Sequence, residues 1–221
     1  MAGGREHDQI IAAAAKTALA PIGFWRKGRS RLWLADNGFW LNVVEFQPSA
    51  WSTGSYMNAC AHWLWGLVDV LSLDQIEGQY RSFVSFAPPA RPSSLVMKQA
   101  ADAATASLWL RSRFETIKTV AACLSDDLTS KPQGAGSDGW PEYNAAVAAG
   151  LSGDAVKARS LFEAVLETFE GWETGQKYTP SIEHMKATVS DRVAFRSLLE
   201  ERVNARRVAL GLGPCANVFG V

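Results

Sequence analysis

The chain has 221 residues, 22 Lys plus Arg balanced by 22 Asp plus Glu, 48% hydrophobic residues and 9 Trp. That length allows one large domain or two small ones, and a core big enough to fold without disulfides or a structural metal. A formal net charge of zero excludes affinity that rests on a global basic field, as for non-specific nucleic-acid or anionic-membrane binding, and the composition is globular, not disordered.

From Arg5 to Ala20 the apolar residues Ile10, Ile11, Ala14, Ala18 and Leu19 recur at helical spacing, and Pro21 with Gly23 ends the run. Glu6, Asp8 and Lys16 in this Ala-rich stretch mark an amphipathic helix, not a secretory signal. Three strand-like segments come next, approximately Phe24 to Ala35, Phe39 to Gln47 and Ser55 to Trp65. Asn37-Gly38 predicts a tight hairpin between the first two, and Ser49 to Gly54 a longer turn between the second and third.

Side chains alternate along a strand, so the facing sets can be compared. Only one register parity sets Trp40, Val44 and Phe46 beside Met57, Ala61 and Trp63; a one-residue slip sets Glu45 and Gln47 against that stripe. The matched register gathers Glu45, Gln47, Tyr56, Asn58 and His62 on the opposite face, with Trp51 in the adjacent turn.

The stretch Phe46 to Val68 carries no Asp, Glu, Lys or Arg, but its Pro, Gly and polar residues exclude a transmembrane helix. Tyr80 to Phe86 reads as a fourth strand and Pro88, Pro89 and Pro92 as a connection. Val96, Ala100, Ala104, Leu108, Ile117, Ala121 and Leu124 predict one long helix from Ser93 or Ser94 to about Asp126. Residues 129–139 are a linker candidate, and sequence from Trp140 onward is helical. A short Ala-rich helix to about Gly150 and a second after Asp154 look like a tetratricopeptide-type hairpin, without a second copy at a 34-residue period. Thr179-Pro180 predicts an N-cap and first helical residue, and Ser190-Asp191 a break before the last helical stretch, which reaches about Leu210.

The expected fold is therefore α+β: an N-terminal helix, an antiparallel sheet of three to five strands, a long helix, and a C-terminal helical region packed on it. The division expected is a sheet domain over 1–128, a linker over 129–139 and a helical region over 140–221.

Phosphate-loop, nucleophile-elbow and zinc-protease motifs are missing, and the loop Gly134 to Gly139 lacks the Lys that phosphate binding requires. Three His, namely His7, His62 and His184, are too few for a His-rich metal site, and Asp126-Asp127 reads as a solvated boundary rather than an acid and base pair. Neither a metal nor a cofactor is expected. The odd, widely spaced Cys60, Cys123 and Cys215 predict reduced thiols in the cytoplasm.

Two clusters remain. Arg26, Lys27, Arg29 and Arg31 alternate with Phe24, Trp25 and Trp33, a pattern used for single-stranded nucleic acid and also for protecting an edge strand. Glu45, Gln47, Trp51, Tyr56, Asn58 and His62 form either a covered outer face or a recognition surface. As catalytic machinery this second set lacks a nucleophile other than Cys60.

The succession Leu19-Ala20-Pro21-Ile22-Gly23-Phe24 with Lys27-Gly28, then Val44-Glu45-Phe46-Gln47-Pro48-Ser49, then Tyr56-Met57-Asn58 resembles the bacterial domain of unknown function 4304 family. The resemblance is concentrated in residues 19–65. It makes Gly23, Phe24, Phe46, Gln47, Ser49 and Asn58 the family-like positions, implies the sheet architecture and brings no activity.

The leading expectation is a non-enzymatic binding protein that meets a protein partner through the polar and aromatic sheet face. The alternatives are a small-molecule enzyme or receptor with a pocket on Glu45, Gln47, Asn58 and His62, and a single-stranded nucleic-acid binder through Arg26 to Arg31. No membrane partner is expected.

Overall fold

Ile11, Ala14, Ala15 and Leu19 form the buried stripe of α1 (Ala2–Leu19) in the computed structural model, which describes residues 2–68, 71, 75–76, 82–86, 92–130 and 138–220. Pro21 tightens the exit into a 3-10 turn over Ala20–Ile22, and Gly23 at φ +85° closes it. The Gly23 amide donates to the Ala20 carbonyl (3.0 Å) and the Phe24 amide to that of Leu19 (3.2 Å), which satisfies the helix end.

The strands are β1 (Trp25–Arg26), β2 (Leu32–Asp36), β3 (Trp40–Pro48), β4 (Gly54–Trp63), β5 (Gln75–Ile76) and β6 (Ser82–Ser85). They form one sheet in the order β1-β2-β3-β4, with β5 and β6 pairing antiparallel to successive parts of β4. Among the described residues, four strands are four residues or longer, and β1 and β5 are two-residue additions.

The first expected strand is interrupted, because residues 27–31 turn the chain back and pair Trp25 with Leu34 and Arg26 with Trp33. The Asn37-Gly38 hairpin is present: Gly38 has φ +83°, its amide donates to Asp36 Oδ1 (2.9 Å), and β2 and β3 pair Trp33 with Val44 and Asp36 with Leu41. Of the expected strand Tyr80 to Phe86, residues 82–85 are strand and residues 80–81 lie outside the described residues.

Chain compaction gives two units, residues 1–62 with 71–112 and residues 63–70 with 113–221. The first contains α1, most of the sheet and most of α2 (Pro92–Arg113). Its core gathers Val44, Phe46, Met57 and Ala59 with Ile11, Ala15 and Leu19 of α1 and Val96, Ala100, Ala103 and Ala106 of α2. Val44, Phe46 and Met57 thus share one apolar cluster, as the matched register requires. Small side chains on α2 let the helix lie close to the sheet, and Asn42 donates from Nδ2 to the Ser107 carbonyl at 2.9 Å. Trp33 is buried in this core, because β2 is flanked on both edges; the edge position expected for it is occupied by β1.

The second unit is helical: α3 (Ile117–Thr129), α4 (Trp140–Ser152), α5 (Ala155–Glu170), α6 (Glu173–Gln176), α7 (Thr179–Thr188) and α8 (Arg192–Ala209). The single long helix expected over 93–126 is two helices. Phe114 leaves helical geometry and packs edge-on against Trp63 (5.0 Å between centroids, 68°), and Thr116 restarts the chain with a capping box shared with Thr119. Leu108, predicted inside, is exposed.

α4 is buried from Tyr143 to Leu151 and forms the centre of this unit, packed by α3, α5 and α8. Trp63 and Trp65 stack in parallel (4.8 Å, 3°), the Trp65 indole donates to Asn144 Oδ1 (3.0 Å), and the Tyr143 hydroxyl donates to the Trp65 carbonyl (3.0 Å). Asp191 caps α8 by accepting from the amides of Val193 and Ala194, at the break predicted there. Tyr178, not Thr179, occupies the N-cap of α7, with Pro180 in its first turn. The first expected domain boundary, at 128, therefore falls inside helical structure, because α3 packs on α4. Of the expected linker, residues 131–137 lie outside the described residues.

The architecture is α+β. Among the described residues, no helix is long and apolar enough to cross a membrane.

Candidate functional site

The β3–β4 hairpin is closed by the Ser49 amide donating to the Gly54 carbonyl at 3.0 Å. At its tip the Ser49 hydroxyl oxygen accepts from the amides of Trp51 and Ser52, both at 3.2 Å, and from the Ser52 hydroxyl at 3.1 Å. A short hydroxyl side chain supplies this local bonding where the backbone has no ladder partner. The turn is thereby held in one shape, and it carries Trp51 with 94% of its surface open to solvent.

Beside the tip, β6 extends the sheet and pairs Phe83 with Tyr56. Their rings lie 4.8 Å apart, tilted by 47°, and Phe83 is 41% exposed. Gly54 makes this possible: a Cβ there would lie 2.5 Å from the Val84 carbonyl oxygen and 2.7 Å from Phe83 Cε2, so any larger residue pushes β6 away. On the same end of the sheet Asn58 Nδ2 donates to Gln47 Oε1 at 3.3 Å. Asn58 is buried, so this bond orients the exposed Gln47 amide.

Burial divides the six residues expected as a polar face. Gln47 and Trp51 are exposed, Glu45 and Tyr56 are half-buried, and Asn58 and His62 are buried. Leu41, Val43, Cys60 and Leu64 are buried too, so the outer face is open only toward the hairpin end. His62 stands four residues beyond Asn58, about 13 Å along a strand, and does not join the Gln47–Asn58 pair. The Cys60 thiol is buried and directed at the Val43 carbonyl (3.8 Å). The open end thus offers two aromatic rings, an indole, the Gln47 amide and one half-buried carboxylate, a set suited to recognition by apolar contact and hydrogen bonding.

The basic segment is largely engaged in its own turn. Arg26 donates from Nε to the Ser30 carbonyl (2.6 Å) and from a terminal nitrogen to that of Arg29 (2.9 Å), while Arg31 pairs with Asp8 at 2.6 Å. Lys27 and Arg29 are exposed, and Trp25 is 38% exposed. Arg111 of α2 lies over the Phe24 ring, 5.6 Å from its centroid, and burial pushes its guanidinium below the ordinary arginine range.

Sequence reasoning missed Phe83, whose signal is the paired requirement for Gly54. Among the described residues, no group of three His, Cys, Asp or Glu side chains is placed to hold a metal ion. Compared with protein-family models, with curated proteins and with solved structures, the chain matches none.

Proposed function

We propose that this chain is a non-enzymatic interaction protein that recognises a protein partner through the hairpin end of its sheet. The observation that carries the reading is Trp51, almost wholly exposed on a turn fixed by three hydrogen bonds to Ser49. The hydrogen bonds order the backbone that presents the ring, which lowers the entropy lost when the ring enters a pocket, and Trp is among the residues that dominate interface energetics. Tyr56 and Phe83 extend the apolar contact, and the Gln47 amide, oriented by Asn58, supplies a hydrogen-bonding group next to it. The partner is a folded protein surface with an apolar slot for the indole and a backbone or amide group within reach of Gln47.

Membership of the domain of unknown function 4304 family belongs to this proposal, carried by Gly23, Phe24, Phe46, Gln47, Ser49 and Asn58. So does a cytoplasmic location, supported by three cysteines that form no disulfide among the described residues.

The test is affinity capture with four versions of the full chain: wild type, Trp51→Ala, Trp51→Ala with Asn58→Ala, and Arg29→Ala. The expected outcome is a partner retained by wild type and Arg29→Ala and lost with both Trp51 variants. A set of captured proteins identical across all four versions removes the assignment.

A further inference from the structure

We propose that the helical unit carries a separate binding cavity for a small organic oxyanion, built on the C-terminal half of α8. The cavity has a volume of about 470 Å³, within the range of about 300–1,000 Å³ usual for small-molecule sites. One wall is the bend after β4, at Gly66 and Leu67; the other is the α8 stripe Leu198, Arg202, Ala205 and Arg206. Successive members of that stripe are three or four residues apart, apart from the adjacent last pair, so they share one side of the helix. Ala205 and Ala209 are small and line the same cavity as the two arginines.

The arginines of α8 are not equivalent. Arg196 is paired with Glu200 at 2.9 Å and donates to Asn217 and to the Gly220 carbonyl, and Arg207 donates to the Gly213 carbonyl at 2.9 Å. Those two fasten the C-terminal tail. Arg202 has no hydrogen bond or ion pair to any described residue, and its Nε is buried without an acceptor. The negative end of the helix dipole accounts for basic residues in the last turns. It does not account for the terminal nitrogens of Arg202, which are neither bonded nor buried and are the donors left for an acceptor that enters the cavity.

The chemistry of that acceptor is set by the lining. A guanidinium presents a planar fork of donors that matches a carboxylate or a phosphate group. Arg206, one turn away, brings a second cationic group to the same cavity, and Glu201 in the lining leaves it with one net positive charge. Leu67, Leu198 and the alanines supply an apolar floor. The ligand is therefore an oxyanion attached to a compact apolar body, not a bare inorganic ion. Carboxylates and phosphate esters share this recognition, and the experiment separates them.

Binding of benzoate, phenyl phosphate and inorganic phosphate to the full chain is measured by calorimetry at low chloride. Saturable binding of at least one organic probe, tighter than inorganic phosphate, is expected, and whichever of the two binds more tightly identifies the source class. Arg202→Gln is expected to weaken it by about tenfold or more, the loss of a charge-assisted contact. Ala205→Leu, at an exposed helical position that tolerates a larger residue, fills the cavity while keeping both charges and is expected to abolish binding. Lys157→Gln on α5 is expected to change nothing. Thermal melts of each variant confirm that it is folded. The proposal is overturned if neither organic probe binds saturably, or if binding survives unchanged in folded Arg202→Gln or folded Ala205→Leu.

Discussion

The indole Nε1–H of Trp65 donates to Oδ1 of Asn144 across 3.0 Å, with both side chains buried. The bond joins residues 79 positions apart and, with the Tyr143 hydroxyl on the Trp65 carbonyl, is a polar contact within an apolar core. Asn144→Leu keeps the branching at Cγ but removes the acceptor, and a buried donor without one costs about 1–3 kcal/mol. Urea unfolding of Asn144→Leu is expected to show that loss, and Trp65→Phe is expected to cost less in that background than in wild type, because the donor it removes is already without its acceptor. Equal stability of wild type and Asn144→Leu would contradict the assignment.

Gly150 sits in α4 where a Cβ would lie 2.5 Å from Phe195 Cε1 and 2.7 Å from Val189 Cγ2. In an open helix, Gly to Ala stabilises by up to about 1 kcal/mol. Here the sign reverses, because α8 and the end of α7 fill the space, and Gly150→Ala is expected to cost about 1–3 kcal/mol through overpacking. Chemical denaturation of Gly150→Ala beside Gly150→Ala with Phe195→Leu checks the mechanism: the second change is expected to relieve part of the first.

The basic segment provides a third test. Arg26 closes the β1–β2 turn with two hydrogen bonds to its carbonyls, so Arg26→Ala is expected to lose about 1 kcal/mol of stability. Lys27→Ala and Arg29→Ala, both at exposed positions, are expected to stay within about 0.5 kcal/mol of wild type. If all three variants bind a single-stranded oligonucleotide less well and none is destabilised, the segment serves nucleic acid rather than the hairpin.

Arg111 has the opposite expectation. Burial lowers its affinity for a proton, which means that the folded state disfavours the charged form, and no described carboxylate compensates; its Nε is buried without an acceptor. The contact with Phe24 is with the ring face. Arg111→Met keeps the stem and removes the desolvated charge, so an equal or higher Tm at neutral pH is expected. A fall of more than about 3 °C, roughly 1 kcal/mol in a chain of this size, would show that the cation–π contact outweighs the desolvation.

Much of the fold is legible in the residues themselves. Asn37-Gly38 announces its hairpin through a conformation that glycine adopts freely, the alternation around Val44 and Met57 indicates which side chains share a core, and Asp191 marks the start of α8. The features that sequence could not supply depend on distant neighbours. The break at Phe114 answers to Trp63, and the alternation that puts His62 and Asn58 on one face cannot tell whether that face is covered. Leu108 satisfies a helical period and still faces water, because α2 buries the stripe that contains Ala103 and Ala106 instead. Trp51 is readable as different from the other tryptophans, since it lies in a Ser-rich turn, whereas the Arg202 cavity leaves no trace beyond two alanines beside two arginines.

The path of the chain has a consequence for its synthesis. It leaves the sheet unit after His62, contributes residues 63–70 to the helical unit, and returns at residue 71 to complete what it had left. A ribosome therefore releases Trp63 and Trp65 long before Asn144 and Phe114 exist to receive them, and the sheet unit is not whole until residue 112 has emerged. No single cut yields both units intact, and a nascent chain interrupted before α4 carries its two indoles without Asn144 and Tyr143 to receive them.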